Sequence, residues 1–443
     1  MKYENIKSTI LSILVLTSLV LTWNLWTYQP NYERLENTSY VHEVTFGEER
    51  EIGDIVKPET VLYHLSDIHT GTTNSEEIDR TIQEVSSWNI FDIKNITNDI
   101  KNIPDFVQSP GNVELIFPDA IPSEGYKPVL NIEDKKIPAF KFNRIVINVE
   151  NRTKEDGVIY FVNDGQFEKK QIYEGQIKSA DLKRFFNQFY SNADQLIRYG
   201  AFKANENRII FFPKNQMKMT SYKYFLNRLD PGKFKLALFN NPSFVQKSNI
   251  ANNEEYTDGT SMMTVNNDNR MMSYVNPAMD SSSFMSSKDL MNKSIDFVNE
   301  HGGWTGNFRI AELDDINQKV IYRMQNPDGF PIFNEKGMSE IVQVWGEKEL
   351  QKYIRPIFDL DVPLRSETTE YMLSSGSEVL EFISNKKGFQ AEALEALVVG
   401  YRMSKDSKEP QLISLEPSWF YRYDHTWAQI TPEELGGINR GLE

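Results

Sequence analysis

The segment 286–313, "SSKDLMNKSIDFVNEHGGWTGNFRIAEL", decides the fold class because it places a helix signal directly before a strand signal. Ser286 with Asp289 three residues later is a helix-start pattern, since a hydroxyl and an acidic side chain can satisfy free N–H groups of a first turn. Apolar residues then recur at helical spacing. Gly303 can end the helix and release the chain into a strand. The segment therefore predicts a helix packed on an antiparallel sheet, which is an α+β arrangement.

The last third of the chain carries this order twice. Ser375 and Glu378 repeat the helix-start pattern 89 residues after its first occurrence, and Gly388 with Phe389 repeats the glycine–aromatic pair 85 residues after it. The second helix should therefore be about one turn shorter. Two further strands follow in each copy, "KVIYRM" and "EIVQVW" in the first and "PQLISL" and "SWFYRY" in the second. The sequence predicts two copies of a helix packed on an antiparallel meander.

Short strands and helices alternate upstream of this repeat. The branched and aromatic content of "ETVLYHL", 59–65, is typical of a strand. A helix capped by Asn74 follows, and a hairpin is predicted around Asn163, Asp164 and Gly165. The predicted domains are a cytoplasmic tip and transmembrane helix at 1–30, an N-terminal α+β ectodomain at 31–200, a central α+β domain at 201–365, and a C-terminal helix-plus-meander domain at 366–443 that resembles 286–364.

Four methionines flank a polar turn at 266–269, in a predicted hairpin of two short strands. Methionine side chains can form an adaptable binding surface. They can equally fill the core between this hairpin and its neighbours, which is the interpretation we favour. The four are Met262, Met263, Met271 and Met272.

The N-terminal segment is the strongest functional signal in the chain. No residue from 8 to 28 is charged, and these 21 residues would rise about 31 Å as a helix, roughly the thickness of a bilayer core. Lys2 and Lys7 precede the run, so the positive-inside rule places the N-terminus in the cytoplasm and the rest of the chain outside. A cleaved signal peptide would need small residues at its cleavage site, and the first alanine is Ala120. We predict a retained single-pass anchor followed by a multidomain ectodomain of antiparallel sheets with packed helices.

One face of the predicted anchor carries hydroxyl and small side chains. Small residues four apart let a neighbouring membrane helix approach closely, and their hydroxyls can bond across the interface. The alternative is that each hydroxyl bonds back to its own helix. The candidate interaction face, with a four-three spacing plus one flanking serine, is Ser8, Ser12, Val15, Leu19, Thr22, Trp26 and Ser18.

Composition excludes several classes of function. The chain has 443 residues, a formal net charge of −15 and no cysteine. An acidic balance argues against nucleic acid as a partner, because phosphate binding needs a basic surface. Without cysteine, thiol catalysis, thiolate metal sites and disulfides are excluded.

The stretch "YHLSDIHTG", 63–71, resembles the first ligands of a two-metal phosphoesterase, with Asp67, His69 and nearby His64. Such a site needs several more ligands from separate loops. Only five histidines occur in the chain, and none lies between His69 and His301. We therefore predict a protein that is not an enzyme, with no catalytic residue, no cofactor and no metal site. Asp67 and His69 are predicted in a polar turn between a strand and the helix capped at Asn74.

The aromatic run "SWFYRYDHTW", 418–427, is open to two interpretations. Aromatic rings can stack on sugars. An alternating strand with one buried face explains the run at least as well.

Two stretches resemble the YycH (WalH) family of low-GC Gram-positive bacteria. One is the anchor, "ENIKSTILSILVLTSLVLTWNLW" from Glu4. The other, more distinctive, is "DPGKFKLALFNNPSFVQKSNIANNEEYTDGTSMMTVNNDNRMMSYVNPA" from Asp230. The resemblance covers the whole chain.

The resemblance implies a membrane protein whose ectodomain lies outside the cell. Family members act with a second single-pass protein, YycI, on the sensor histidine kinase WalK (YycG), which controls cell-wall metabolism. Some restrain the kinase and others promote its activity, and their later domains are similar to those of YycI. The implied partners are a WalK-like kinase, a YycI-like protein and membrane lipid, and no catalytic residues carry over. The competing hypothesis is an extracytoplasmic module that binds a ligand or wall polymer and is unrelated to a kinase.

Overall fold

The structure is a computed structural model, and its chain divides into two compact units, residues 1–40 and 41–443. In the first unit, residues 14–23 are helical. Among the described residues, no helix reaches the length and hydropathy that a membrane crossing needs. Most of the predicted anchor, residues 8–28, lies outside the residues that the structure describes. The structure describes residues 7, 14–23, 46–66, 68–134, 137–150, 156–165, 169–277, 284–346, 349–364, 367–406, 409, 411–431 and 434–435.

The second unit begins with a nine-stranded antiparallel sheet in the order β3-β7-β6-β5-β4-β1-β2-β8-β9. Hairpins join most neighbours, and the predicted hairpin around Asn163 is confirmed as β6–β7. The strands are β1 Thr60–His64, β2 His69–Thr72, β3 Phe91–Asn95, β4 Asn112–Pro122, β5 Lys141–Asn148, β6 Asp156–Asn163, β7 Gln171–Lys178, β8 Ile197–Lys203 and β9 Ile209–Pro213.

Five helices accompany this sheet. The longest begins as predicted, because the Asn74 side chain accepts a hydrogen bond from the Glu77 N–H at 3.1 Å. Its Ile78 and Val85 side chains are completely buried, which fixes the face that packs on the core. The helices are α1 Ile52–Ile55, α2 Ser75–Ser86, α3 Ile103–Val107, α4 Ser123–Tyr126 and α5 Ser179–Gln188.

The structure differs from the sequence prediction at β2. His69 was predicted in a polar turn, but it opens a strand that pairs with β1 on one side and β8 on the other. Asp67 lies outside the described residues. The boundary predicted at residue 200 falls inside β8, and β8 with β9 carries the first sheet on to Pro213.

An eight-stranded antiparallel sheet follows, in the order β11-β12-β13-β14-β19-β18-β16-β15. Helix α7, Ser287–Glu300, packs on β15 and β16. Its N-cap is Ser286, whose hydroxyl accepts from the Asp289 N–H at 3.1 Å. The strands are β11 Gln246–Ile250, β12 Asn253–Thr257, β13 Met262–Asn266, β14 Met271–Val275, β15 Phe308–Asp314, β16 Lys319–Met324, β18 Glu340–Trp345 and β19 Leu350–Pro356.

The methionine hairpin is β13–β14, and three of its four methionines fill the core as predicted. Met263 and Met272 are completely buried and Met271 is nearly so. Met262, on β13, is 45% exposed and does not belong to this core.

The third sheet gathers strands from distant parts of the chain. Its order is β17-β22-β23-β10-β20, with β21 beside β10 and β24 beside β23, and only the β17–β22 pair is parallel among the described strands. It comprises β10 Met217–Arg228, β17 Ile332–Phe333, β20 Phe358–Pro363, β21 Thr369–Leu373, β22 Leu394–Lys405, β23 Leu412–Tyr423 and β24 Thr426–Ile430. Two helices complete the unit, α6 Pro231–Leu238 and α8 Gly376–Ser384.

The order of elements in the proposed repeat agrees between its two halves. Helix α7 precedes the meander β15-β16-β18, and α8 precedes the meander β22-β23-β24. Helix α8 begins with a complete capping box between Ser375 and Glu378. The sheet of each half also takes in strands from outside it, β11 to β14 in the first and β10, β17 and β20 in the second, so the second sheet crosses the boundary proposed at 365/366. The domain division itself stays a prediction.

One strand assignment in the second half was wrong. "PQLISL" and "SWFYRY" were predicted as two strands, but they form the single strand β23, and the third strand is β24. Pro417 lies between the stretch that pairs with β10 and the stretch that pairs with β24. On its other side Pro417 faces Tyr401 of β22, whose N–H donates to the Pro331 carbonyl, so a residue without an N–H is tolerated there.

Candidate functional site

The two histidines of the "YHLSDIHTG" stretch contact each other across the β1–β2 hairpin. His64 and His69 are register partners, and their Nδ1 atoms lie 2.8 Å apart. Nε2 of His64 lies 3.0 Å from Oε2 of Glu114 on β4. A carboxylate only accepts, so in neutral His64 the proton sits on Nε2 and Nδ1 accepts from the Nδ1–H of His69. The hairpin thus uses both ring nitrogens of His64 for structural contacts.

A buried charge network extends from this pair. Arg144 on β5 donates to Glu114, and its Nη2 donates to Oδ2 of Asp164 at 3.0 Å. Asn143 donates to the other oxygen of Asp164 at 2.9 Å. The network links side chains of β1, β2, β4 and β5 to Asp164, the residue directly after β6. It therefore holds five neighbouring strands of the first sheet in register.

The electrostatics of the network follow from this geometry. Burial would raise the pKa of Glu114, but the charge of Arg144 and the bonds from His64 and Arg144 outweigh it and lower that pKa to about 2. Burial and then the charge of His64 lower the pKa of His69 to about 4. At neutral pH the carboxylate is therefore ionised and His69 is neutral.

This arrangement does not resemble the two-metal site that the D-x-H pattern suggested. Within the part of the chain that the structure describes, no group of three or more His, Asp or Glu side chains is placed to hold a metal ion. Glu114 is already bonded to His64 and Arg144. The residues act on one another instead of converging on an open position.

The predicted membrane-helix face lies only partly within the described residues. Ser8, Ser12 and Trp26 lie outside them. The remaining positions are in the helical segment 14–23 and are Val15, Ser18, Leu19 and Thr22.

The hydroxyl of Thr22 bonds within its own helix. Its Oγ1 donates to the Ser18 carbonyl oxygen at 2.8 Å. A hydroxyl bonded back to its own helix is the alternative that the sequence left open for these side chains. With its proton used in this way, the Thr22 hydroxyl can only accept a hydrogen bond from a neighbouring helix. Val15 and Leu19 are more than half exposed, at 53% and 63%. The interaction face as a whole stays a prediction.

A cleft of about 690 Å³ opens between the third sheet and the β16–β18 region. We name it the aromatic–lysine cleft after Phe333, Phe420, Trp427, Lys336 and Lys405, which all line it. Sequence reasoning missed this site because its walls come from segments almost a hundred residues apart. The only signal was the aromatic run 418–427.

The structure clarifies that aromatic run. Trp419 and Phe420, neighbours on β23, point to opposite faces of the strand, and both are nearly buried. Trp419 donates from Nε1 to the Ser374 carbonyl at 2.9 Å, whereas Phe420 lines the cleft. The expectation of one buried face was therefore too simple, since this part of β23 is covered on both sides.

Two family models match the chain, the YycH protein N-terminal domain at residues 4–193 and the YycH protein C-terminal domain at residues 207–435. The chain belongs to the YycH family. The resemblance drawn from the anchor and from the segment that begins at Asp230 is thereby confirmed.

A curated sequence and a solved structure, both of YycH from Bacillus subtilis, extend this comparison. The "Two-component system WalR/WalK regulatory protein YycH" of strain 168 is 25% identical over 463 aligned positions, which cover 100% of both chains. The crystal structure of YycH from Bacillus subtilis matches with a TM-score of 0.74 at 20% identity, covering 88% of this chain and 100% of that one. The YycH fold is thus shared, and it is the mixed α+β fold with antiparallel sheets that the sequence predicted.

Proposed function

We propose that this protein is a non-enzymatic accessory regulator of a two-component system whose sensor histidine kinase resembles WalK. The observation that carries the proposal is the end-to-end relationship with a protein named as a WalR/WalK regulatory protein, since 100% of each chain is covered. A regulator acts through surfaces that contact its partners. His64 and His69 instead make buried contacts with each other and with Glu114, which favours a structural role for them over a catalytic one.

The proposed setting is the cytoplasmic membrane. The uncharged run at 8–28 would anchor the protein with its N-terminus in the cytoplasm, and residues from 31 onward would lie outside the cell. There it would act with a YycI-like single-pass protein on the kinase. The contacts would involve both the membrane helix and the ectodomain, and the kinase would control cell-wall metabolism.

The proposal is tested by recovery of the partners. Full-length protein with a C-terminal tag is crosslinked in membranes of its native cells and purified in mild detergent, and the co-purified proteins are identified by mass spectrometry. We expect a WalK-like kinase and a YycI-like protein at a constant ratio to the tagged chain. A tagged anchor from an unrelated single-pass protein is the control. Recovery of neither partner above that control would refute the proposal.

A further inference from the structure

Three separate parts of the chain form the aromatic–lysine cleft. Arg323 and Glu340 come from β16 and β18, Phe333 and residues 402–405, 420 and 427–429 come from the third sheet, and Asp268 comes from the β13–β14 turn. A volume of about 690 Å³ lies within the range of clefts that hold small ligands or several residues of a peptide.

The inner part of the cleft is a fixed aromatic cluster. The Phe333 and Phe420 rings stack with centroids 4.0 Å apart, and the Trp427 ring lies 4.9 Å from that of Phe333. The Arg323 guanidinium lies 4.5 Å from the Phe333 centroid and 5.2 Å from that of Trp427. Glu340 accepts from two nitrogens of Arg323, at 2.8 and 3.1 Å. These contacts make a rigid apolar surface that can receive an apolar side chain.

Two lysines also line the cleft. Among the residues that the structure describes, neither Lys336 nor Lys405 has a carboxylate oxygen within 4.0 Å of its ammonium group. The pKa of Lys405 is lowered first by burial, then by the charges of Arg270 and Lys336, against the opposing effect of Asp268. Arg270 and Lys336 therefore repel Lys405, and Asp268 opposes them. A bound anion would relieve their repulsion.

A backbone edge runs along the same cleft. β22 pairs with β17 only at Tyr401 and Arg402, yet β22 continues to Lys405. Beyond the paired part, the Asn334 side chain donates to the Met403 carbonyl at 2.9 Å, in the place where a strand would continue. Because Asn334 occupies the Met403 carbonyl, the part of that side of β22 that no described strand covers is Ser404 and Lys405. Such an edge can accept an added strand from another chain.

We propose that the aromatic–lysine cleft binds an extended peptide in which a carboxylate is near an apolar side chain. The carboxylate contacts Lys336 and Lys405. The apolar side chain packs on Trp427, which the buried rings of Phe333 and Phe420 support from behind, and the peptide backbone runs along the open edge of β22. A sugar could stack on the aromatic rings, but it would make no use of a strand edge, so the three features together favour a peptide. The inference concerns binding alone and does not depend on the identity of a kinase.

The test is a selection with random heptapeptides displayed on phage, applied to full-length protein in lipid nanodiscs. Recovered sequences should be enriched in Asp or Glu one or two positions from an apolar residue. The best peptide is then synthesised, and its dissociation constant is measured by fluorescence anisotropy. We expect about tenfold weaker binding when its acidic residue is replaced by the matching amide, because a charge-assisted hydrogen bond is lost.

Matched variants of the protein test whether the peptide binds in the cleft. Lys336→Gln with Lys405→Gln should weaken peptide binding about tenfold or more, and higher salt should weaken binding to the native protein. Lys214→Gln, which removes an exposed charge on the turn after β9, should leave binding unchanged. Thermal unfolding of each variant checks that its fold is intact.

Several results would overturn the inference. Selection that recovers no peptide, or peptides without acidic enrichment, would do so. Equal binding to the native protein and to the double-lysine variant would place the peptide elsewhere. If glutamate or citrate alone bound as tightly as the peptide, the cleft would be a site for small anions and not for an extended chain.

Discussion

Nε2 of His64 lies 3.0 Å from Oε2 of Glu114, and both side chains are completely buried. Glu114 also accepts from Arg144, which in turn donates to Asp164. Burying charges is costly unless each has its partners, so the loss of one member leaves the others unpaired. The histidine that suggested a metal enzyme is therefore expected to affect folding and not catalysis.

Glu114→Gln should destabilise the protein strongly. The substitution keeps the size of the side chain but removes the charge that balances Arg144, and breaking a buried pair costs about 3–5 kcal/mol. The free energy of unfolding, measured with urea, should fall by about that amount. Glu300→Gln, an exposed position at the end of α7, is the control and should change it little. A loss below about 1 kcal/mol for Glu114→Gln would contradict this account of the network.

The stability that His69 and His301 contribute should decrease as the pH falls from about 6.5 to about 4, whereas Glu59 and Asp119, whose pKa values burial raises, act in the opposite direction. His69 and His301 both have folded-state pKa values lowered to about 4, chiefly by burial, from 6.5. Between pH 4 and pH 6.5 these two histidines bind more protons in the unfolded chain than in the folded one. The stability that they contribute is therefore complete above pH 6.5 and declines below it. The lowered pKa of Glu114 gives a further loss as the pH falls from about 4.5 towards about 2.

His69→Gln tests the direction of this pH dependence of stability. The variant should show a shallower decrease in unfolding free energy between pH 7 and pH 4.5 than the native protein, because one of the two histidines no longer takes up a proton on unfolding. His301, whose ring packs on Phe297, still contributes to the slope that remains. Urea unfolding at several pH values gives both slopes, and parallel slopes for the two proteins would be inconsistent with a neutral His69.

The membrane topology gives another prediction. Because the lysines that flank the uncharged run lie only on its N-terminal side, protease added outside protoplasts should remove nearly all the mass from residue 31 onward. Right-side-out and inverted membranes compared by immunoblot provide the measurement. A mature protein that begins beyond Tyr28 would show cleavage and would rule out a retained anchor.

The hydroxyl face of that helix should contribute to regulation. Changing Ser8, Ser12, Ser18 and Thr22 together to leucine should leave insertion intact but weaken the effect on the kinase, since small side chains and bonds of about 0.6 kcal/mol each would be lost. Expression of a kinase-controlled reporter gives the readout, and protease protection checks insertion. Normal regulation by the leucine variant would place the decisive contact in the ectodomain.

Thr22→Val is the matched single change. The Thr22 hydroxyl donates to the Ser18 carbonyl of its own helix, so its removal should cost little contact with a neighbour. Valine keeps the branched shape. Reporter expression with this variant should match the native protein, whereas a loss as large as that of the four-residue variant would show that Thr22 alone carries the contact.

Local signals predicted the helices of this fold well. Asn74, Ser286 and Ser375 each cap the helix that the sequence assigned to them, because a capping bond depends on neighbours only three residues away. β2 was missed because "HTGT" carries no apolar alternation, and its pairing with β1 and β8 makes it a strand.

Long-range pairing was beyond what the sequence could predict. β10 lies beside β23, almost two hundred residues away along the chain, and nothing in either strand specifies that partner. The aromatic–lysine cleft was missed for the same reason. Asp268, Phe333 and Trp427 meet only after the sheets have assembled, so the aromatic run alone could not distinguish a binding wall from a core strand.

The most direct test of the central claim is the autophosphorylation rate of the WalK-like kinase in nanodiscs, with and without this full-length protein and its YycI-like partner. We predict a change of about fivefold or more in either direction, the size of an ordinary coupling free energy, and a smaller change with the four-leucine anchor. An unchanged rate at saturating protein would contradict the account.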